Sequence, residues 1–179
     1  MKNYKESKKL IRSIKNYPKQ GIIFRDITPL LENFEAFNAC IDELTSRVEE
    51  ISFNKIACID ARGFITGVAC AMKLSKNFFL LRKKGKLPYK TYSEDYELEY
   101  GQATMEMHED SIAKGDKVLI LDDLLATGGT AIAALNLIKQ AGGEVTGFAT
   151  LINLPDLNGS KLLNKNGVKV FALFDFEGE

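Results

Sequence analysis

Short apolar segments alternate with amphipathic stretches along most of the chain. Apolar runs predict buried strands at residues 55–60, 77–81, 117–121, 144–152 and 168–174. Apolar residues recur at helical spacing between 34 and 48, and helices are also predicted at 67–74 and 130–141. Alternation of short apolar strands with helices is typical of βαβ units, so the pattern predicts an α/β fold with a parallel sheet covered on both faces.

Two segments depart from this alternation. Near the N-terminus, Leu10, Ile11 and Ile14 share one helical face and predict a short amphipathic helix. Residues 82–101 are polar and predict a long loop, and ATMEMHE (103–109) then alternates like a half-exposed strand. A loop of roughly twenty residues inside a small domain is usually functional or disordered.

Composition narrows the class of protein. The 179 residues fit one domain, and the formal net charge of zero gives no bulk electrostatic support for binding nucleic acid. No stretch approaches 18 consecutive apolar residues, so we expect a cytoplasmic protein without a membrane partner. The three cysteines form no C-x-x-C motif and are interpreted as core residues.

Three segments should meet where the parallel strands end, which is where ligands bind in such sheets. They are ARGF (61–64), RKKGK (82–86) and DDLLATGGT (122–130). The glycines of TGGT allow close backbone approach at a helix start, which favours a phosphate, although TGGT alone could be a plain helix cap. The adjacent carboxylates could accept hydrogen bonds from vicinal hydroxyls or help to hold magnesium, whereas an acidic helix start explains one of them better than both.

The segment VLILDDLLATGGT (118–130) resembles the phosphoribosyl-diphosphate (PRPP) binding signature of the type I phosphoribosyltransferases. Over nearly its full length the chain is similar to the members that act on adenine, through YPKQGIIFRDITPLL, DARGF, RKKGKLP, YELEYG and the closing VFALF. The resemblance implies a single domain (1–179) with the type I phosphoribosyltransferase fold, a central parallel sheet flanked by helices. It also implies a small N-terminal hood (about 1–33) and a mobile catalytic lid (about 82–108).

The resemblance also implies roles for residues around PRPP. Asp122 and Asp123 would bind the ribose hydroxyls, and Arg62 would act in catalysis and bind pyrophosphate. The family often has a cis peptide at the turn before this arginine, here Asp60–Ala61. The 5-phosphate would lie within Ala126, Thr127, Gly128, Gly129 and Thr130, and further pyrophosphate contacts would come from Arg82, Lys83 and Lys86. Taken alone, RKKGK could equally be a solvated basic loop.

Roles around the base follow from the same resemblance. Ile23 and Arg25 would bind adenine through their backbone groups, and Phe24 would stack on the ring, although GIIFRD could also be a buried extended segment. Glu99 would be the acid/base residue near the purine N7, and Tyr100 would take part in lid closure. The implied cofactor is Mg²⁺, held mainly by PRPP, with Asp122 or Asp123 as candidate ligands.

The implied reaction transfers the phosphoribosyl group of PRPP to adenine, giving AMP and pyrophosphate in purine salvage. A homodimer with no nucleic-acid partner is expected. Some positions depart from the family pattern, namely Thr66, Val68, Asp95, Asn153 and Ser160. Three alternatives stay open: transfer to hypoxanthine, guanine or xanthine, a PRPP-sensing regulator, and an unspecified α/β nucleotide-binding domain.

Overall fold

The protein is described here by a computed structural model, which covers residues 3–97 and 101–178. Its main sheet has seven strands in the order β5-β6-β4-β3-β7-β8-β9. These strands are β3 (Lys55–Ile59), β4 (Asn77–Lys83), β5 (Thr91–Glu97), β6 (Gln102–His108), β7 (Lys117–Leu125), β8 (Glu144–Asn153) and β9 (Lys169–Asp175). Neighbouring strands within β4-β3-β7-β8-β9 are parallel. Strand β6 pairs with both β4 and β5 in antiparallel fashion. The predicted α/β class and the mostly parallel central sheet are confirmed.

Helices cover both faces of this sheet. On one face, α2 (Phe34–Val48) and α3 (Gly63–Leu74) bury apolar side chains such as Leu44 and Cys70 against the strands. On the other face, α4 (Gly129–Gln140) and α5 (Gly159–Lys165) contribute Leu137 and Leu163 to a second core. The helix α5 was not predicted, because GSKLLNK is short and offers only two apolar residues.

The N-terminal segment differs from its prediction. A 3₁₀ helix (Tyr4–Leu10) is followed by β1 (Arg12–Lys15), which pairs with β2 (Ile23–Asp26) in a separate two-stranded sheet. The predicted helix through Ile14 is therefore wrong, and the Ile14 side chain is 36% exposed. Backbone pairing with β2 outweighs the local helical spacing of the apolar residues. A four-residue helix, α1 (Thr28–Leu31), leads into α2.

The segment predicted as a long polar loop is mainly a β-hairpin. Strands β5 and β6 pair in register from Thr91 opposite His108 to Glu97 opposite Gln102, and the prediction of a strand at 103–109 is nearly right. The polar residues of TYSEDYE alternate between half-buried and exposed positions, which is the period of an edge strand. No helix within 3–97 and 101–178 has both the length and the apolar character needed to cross a membrane.

Candidate active site

A cavity of about 400 Å³ opens where β3, β4 and β7 end. This is the edge at which the polar segments following parallel strands were predicted to meet. The cavity brings together the ends of β3 and β7, the start of α4 and one residue of the hairpin. Its lining comprises Ile59, Asp60, Ala61, Arg62, Lys83, Tyr96, the run 122–131 and Phe148.

The two aspartates belong to β7 itself, since the strand continues to Leu125 instead of ending at residue 121. The Asp123 side chain is almost fully buried, and its Oδ2 lies 3.0 Å from Arg62 Nε. Asp122 Oδ1 accepts a hydrogen bond from the Asp123 backbone N–H at 2.8 Å. Burial and then the charge of Asp123 raise the pKa of Asp122 well above its usual range. Burial also raises the pKa of Asp123, although Arg62 opposes that shift.

The loop at 126–130 forms a cradle before α4. Gly128 adopts a left-handed conformation (φ 89°), and the helix begins at Gly129 with free N–H groups in its first turn. Gly159, at the start of α5, supports the loop from behind, because its N–H donates to Ala126 O at 3.1 Å. A Cβ atom on Gly159 would lie 2.2 Å from the same oxygen, so only glycine fits there. These backbone groups suit a phosphate.

Arg62 lies at the junction of three parts of the site. It precedes α3 after a cis peptide between Asp60 and Ala61, as the resemblance implies. Its guanidinium contacts the Asp123 carboxylate, and its Nη1 donates to the Arg25 backbone carbonyl at 3.4 Å. Behind it, Gly63 lets α3 approach β7 closely, since a Cβ at this position would lie 2.9 Å from Asp122 Oδ1.

The basic segment is only partly directed at the cavity. Lys83 lines it, whereas Arg82 Nε pairs with Asp60 Oδ2 at 3.1 Å and Arg82 Nη1 donates to the Lys86 carbonyl at 3.2 Å. The Lys86 side chain is exposed. Pyrophosphate contacts from Arg82 and Lys86 therefore stay a prediction.

The hood strand β2 approaches the cavity from the side of Arg62. The Phe24 ring lies 5.0 Å from the Arg62 guanidinium and packs edge-on against Tyr17 at 5.2 Å. The Arg25 side chain is buried and turns away, toward residues 177 and 178. Adenine contacts from Ile23, Phe24 and Arg25 stay a prediction, and for Arg25 the backbone is the part available to a ligand.

The hairpin packs on the start of α4. Glu94 Oε1 accepts from Asn136 Nδ2 at 2.7 Å, and Tyr96 lines the cavity together with Thr130. A Cβ on Gly129 would lie 2.8 Å from the Glu97 carbonyl oxygen, so strand and cradle are in close contact. Glu99 and Tyr100, predicted for acid/base catalysis and lid closure, lie outside the described residues.

Two of the atypical positions contact each other. Ser160 Oγ donates to Asn153 Oδ1 at 2.5 Å, and Asn153 Nδ2 donates to Asp175 Oδ1 at 2.7 Å. Asn153 and Ser160 therefore join β8 to the start of α5 by a hydrogen bond between two uncharged side chains. Thr66 is fully buried and donates to Gly63 O at 3.2 Å, while Asp95 accepts from Thr104 at 2.6 Å within the hairpin.

The oxygen atoms of Asp122 and Asp123 suit a hard cation only in part. Across residues 3–97 and 101–178, no group of three or more metal-binding side chains is close enough to hold an ion unaided. The buried Asp123 Oδ2 is nevertheless left without a hydrogen-bond partner in this part of the chain, because the Arg62 contact lacks hydrogen-bond alignment. This donor set fits Mg²⁺ that takes most of its ligands from a bound polyphosphate.

Sequence reasoning missed three residues that shape this site. Asp60 holds Arg82, Tyr96 reaches the cradle from the hairpin, and Gly159 backs the phosphate loop. Asp60 and Tyr96 lie in quoted motifs, DARGF and YELEYG, so their neighbours could have drawn attention to them. Gly159 contacts a loop more than thirty positions away, for which NGS carries no signal.

Comparison with known proteins agrees with this geometry. The family model described as the phosphoribosyl transferase domain matches residues 28–174. The chain therefore belongs to the phosphoribosyl transferase family.

Individual relatives are more specific. An adenine phosphoribosyltransferase of Thermosipho melanesiensis is 56% identical over 163 residues, which is 91% of this chain and 93% of the relative. The crystal structure of adenine phosphoribosyltransferase from Thermoanaerobacter pseudethanolicus is 43% identical and superposes with a TM-score of 0.93, covering 97% of this chain and 99% of that one. The enzyme from Saccharomyces cerevisiae, solved with an imino-altritol bisphosphate and adenine, is 33% identical with a TM-score of 0.88 and coverage of 96% and 98%.

Proposed function

We propose that this protein transfers the 5-phosphoribosyl group of PRPP to adenine, forming AMP and pyrophosphate in purine salvage. The observation that carries the proposal is the single cavity in which the Asp122–Asp123 pair, the 126–130 cradle and Arg62 come together. A vicinal diol beside a phosphate cradle and a cation matches a ribose 5-phosphate that bears a leaving pyrophosphate. The high identity to adenine phosphoribosyltransferases supports adenine as the acceptor.

The chemistry follows from where the charges lie. The 5-phosphate binds the N–H groups at 126–130, and the ribose hydroxyls donate to Asp122 and Asp123. The bond between C1 and the pyrophosphate oxygen breaks, and the electron pair leaves with pyrophosphate toward Arg62 and Lys83. Adenine N9 then attacks C1, which has oxocarbenium character, and the base loses one proton.

Magnesium fits this site as a partner of PRPP. Asp122 or Asp123 would hold it together with oxygens of PRPP, and the bound ion would neutralise charge on the pyrophosphate. The raised pKa of both carboxyl groups also supports a bound cation, because a cation or hydroxyl donors beside them would stabilise their charged forms.

Base recognition is assigned to the hood and the lid. The backbone of Ile23 and Arg25 would hydrogen-bond the adenine edge, and Phe24 would stack on the ring. Glu99 would hold the proton near the purine N7, with Tyr100 assisting closure of the 82–108 lid. The contacts of Tyr96 and Glu97 with the cradle support this placement, since they bring the hairpin over the cavity. Closure would exclude water from the reactive sugar.

A direct assay tests the acceptor. Initial rates with PRPP and Mg²⁺ are measured for adenine, hypoxanthine, guanine and xanthine, and we expect turnover of adenine to exceed the others by orders of magnitude. Faster conversion of a 6-oxopurine would reassign the base. Sequence-specific DNA binding without turnover would favour the PRPP-sensing regulator instead.

Glu99 can be tested against a second glutamate, Glu109, which follows β6 directly. Glu99→Ala should lower kcat by about 100-fold or more and leave PRPP binding nearly unchanged, as expected for general acid/base catalysis. Glu109→Ala removes an exposed carboxylate at the end of the hairpin and should keep the parent kcat. Equal kcat in both variants would remove Glu99 from catalysis.

The protein is further proposed to be a cytoplasmic homodimer. Its exposed apolar side chains include Phe34 (80%), Met72 (73%) and Ile65 (42%). Phe34 and Met72 line one groove of about 410 Å³ between α2 and α3, and an apolar face of this kind favours burial against a second copy. Light scattering should give the dimer mass for the parent and a monomer for Met72→Glu, with Lys139→Glu on α4 as the surface control.

A further inference from the structure

The Arg25 side chain binds a segment that no part of the proposed reaction uses. Arg25 is only 6% exposed, and its Nη2 donates to the carbonyls of Glu177 and Gly178 at 2.9 and 3.1 Å. Its Nη1 donates to Ser13 Oγ at 2.6 Å, which fixes the guanidinium between β1 and the 176–178 segment. The guanidinium also lies 4.8 Å from the centre of the Phe176 ring.

The 176–178 segment is itself held firmly. Phe176 N–H donates to Asn153 O at 3.0 Å, and Gly178 N–H donates to Asp156 Oδ2 at 2.9 Å. Lys8 Nζ lies 4.6 Å from the Phe176 ring and donates to the Asp175 carbonyl at 2.6 Å. The segment is therefore an extension of β9 that is tied to β8 and the 3₁₀ helix, and it can serve as a fixed support.

The other side of β2 contacts Arg62, which lines the cavity. The Arg25 carbonyl accepts from Arg62, whose Nε lies 3.0 Å from Asp123 Oδ2, and Phe24 lies beside the same guanidinium. Ile23 Cδ1 lies 4.0 Å from the position that a Cβ on Gly178 would take. The support therefore holds Arg25 by hydrogen bonds and lies next to the Ile23 side chain, and the backbone of these two residues is proposed to bind the base.

We propose that the Arg25 side chain and the 176–178 segment are positioning elements, which hold the backbone of β2 in the position required to bind the base. This inference rests on the proposed base site at residues 23–25. The Arg25 side chain and the 176–178 segment touch no substrate in this proposal, since the guanidinium is directed at residues 177 and 178. Their effect should fall on binding of the purine more than on binding of PRPP, because PRPP is held by β7 and the cradle.

The first experiment separates the two substrates by steady-state kinetics. Arg25→Met and Phe176→Ala should raise KM for adenine about 10-fold while KM for PRPP changes less than about twofold, which is the pattern of lost uniform binding of one substrate. Arg25→Lys retains the charge and one of the donors, so it should recover part of the loss. Phe176→Ala removes no charged group, so it still tests the proposal if Arg25→Met fails to fold.

Arg47 supplies the matched control. Its guanidinium likewise donates to a backbone carbonyl of the last strand, Ala172 O at 2.6 Å, and lies 5.4 Å from an aromatic ring, Tyr4. Arg47 also pairs with Glu43 on α2 and contacts no residue of β2 among those described. Arg47→Met should lower the melting temperature as much as Arg25→Met and leave KM for adenine at the parent value.

Amide hydrogen exchange gives a readout that does not depend on turnover. In the free protein, exchange at residues 22–26 should be faster in Arg25→Met and Phe176→Ala than in the parent or Arg47→Met. In the parent, AMP should slow exchange in the same stretch. If AMP gives no protection there, the base site is misplaced and the inference fails with it; if protection is present but the variants match Arg47→Met in exchange and KM, only the positioning role is overturned.

Discussion

The two ends of β7 carry the same type of side chain in opposite electrostatic states. Directly before the strand, Asp116 accepts hydrogen bonds from Ala113 N–H at 2.8 Å and Asn54 Nδ2 at 2.7 Å, and it pairs with Lys55 at 2.8 Å. The Lys55 contact, then Ala113 and Asn54, lower the pKa of Asp116 to about 2. At the other end, burial raises the pKa of both Asp122 and Asp123, and the charge of Asp123 raises the pKa of Asp122 further.

The difference lies in how many donors each carboxylate has. Asp116 is surrounded by three donors from two segments, Asn54 with Lys55 and Ala113, so its charge joins β3 and β7 and adds to stability. The Asp122–Asp123 pair has a backbone N–H donor for Asp122 and the Arg62 guanidinium beside Asp123, and the buried Asp123 Oδ2 has no hydrogen-bond partner in the described chain. Such carboxylates cost stability in the free protein and are available to a ligand, which is typical of a functional site.

Among substitutions at the two ends of β7, removing a charge at the functional end should give the largest effect on activity. Asp123→Asn takes away the anionic acceptor of a ribose hydroxyl, and hydrogen bonds to charged groups are worth about 1.5–3 kcal/mol. We expect kcat/KM to fall about 10- to 100-fold, while the melting temperature stays equal or rises because a poorly compensated charge is gone. Initial rates and thermal melts of the same preparations measure both. A clear fall in melting temperature would show that Asp123 is chiefly structural.

The glycine behind the cradle provides a second test at this end. Gly159→Ala places a Cβ where Ala126 O lies at 2.2 Å, so the phosphate loop must move. Overpacking of this kind costs roughly 1–3 kcal/mol, and we expect a higher KM for PRPP together with a lower melting temperature. Isothermal titration with PRPP gives the affinity directly. Unchanged PRPP affinity would mean that the loop does not hold the phosphate.

A substitution at the structural end of β7, at Asp116, should lower stability and leave activity nearly unchanged. Asp116→Ala removes the shared acceptor of three donors and should cost about 2 kcal/mol of the free energy of unfolding. For a chain of this length that is about 4–8 °C in melting temperature, with kcat/KM within about twofold of the parent. A large loss of kcat/KM in correctly folded Asp116→Ala would break the distinction between the two ends.

The same distinction explains how far the sequence predicts this molecule. The strands predicted at 55–60 and 117–121, observed as β3 (Lys55–Ile59) and β7 (Lys117–Leu125), and the cavity lining at 122–130 are predictable, because each depends on local apolar runs or on residues that are adjacent in the chain. The first strand of the hairpin, β5, was not predicted, because polar residues such as Glu94 are stabilised there by α4, more than forty positions later. Ile14, Gly159 and Arg25 likewise take their positions from distant segments, which periodicity and motif spacing do not report.

A pH series gives the smallest expected effect and tests the sign of each shift. The lowered pKa of Asp116 adds stability that is fully present above about pH 4 and is lost as the pH falls toward 2. The raised pKa of Asp122 works in reverse, since its stabilisation is present when the group is protonated and is lost as the pH rises through the folded-state pKa.

In urea unfolding from about pH 4 to about pH 8, Asp122→Asn should therefore gain stability relative to the parent as the pH rises. Asp116→Asn should keep a constant deficit over that range and lose it only below about pH 4, and parallel curves for the two variants would contradict the proposed opposition of the two ends.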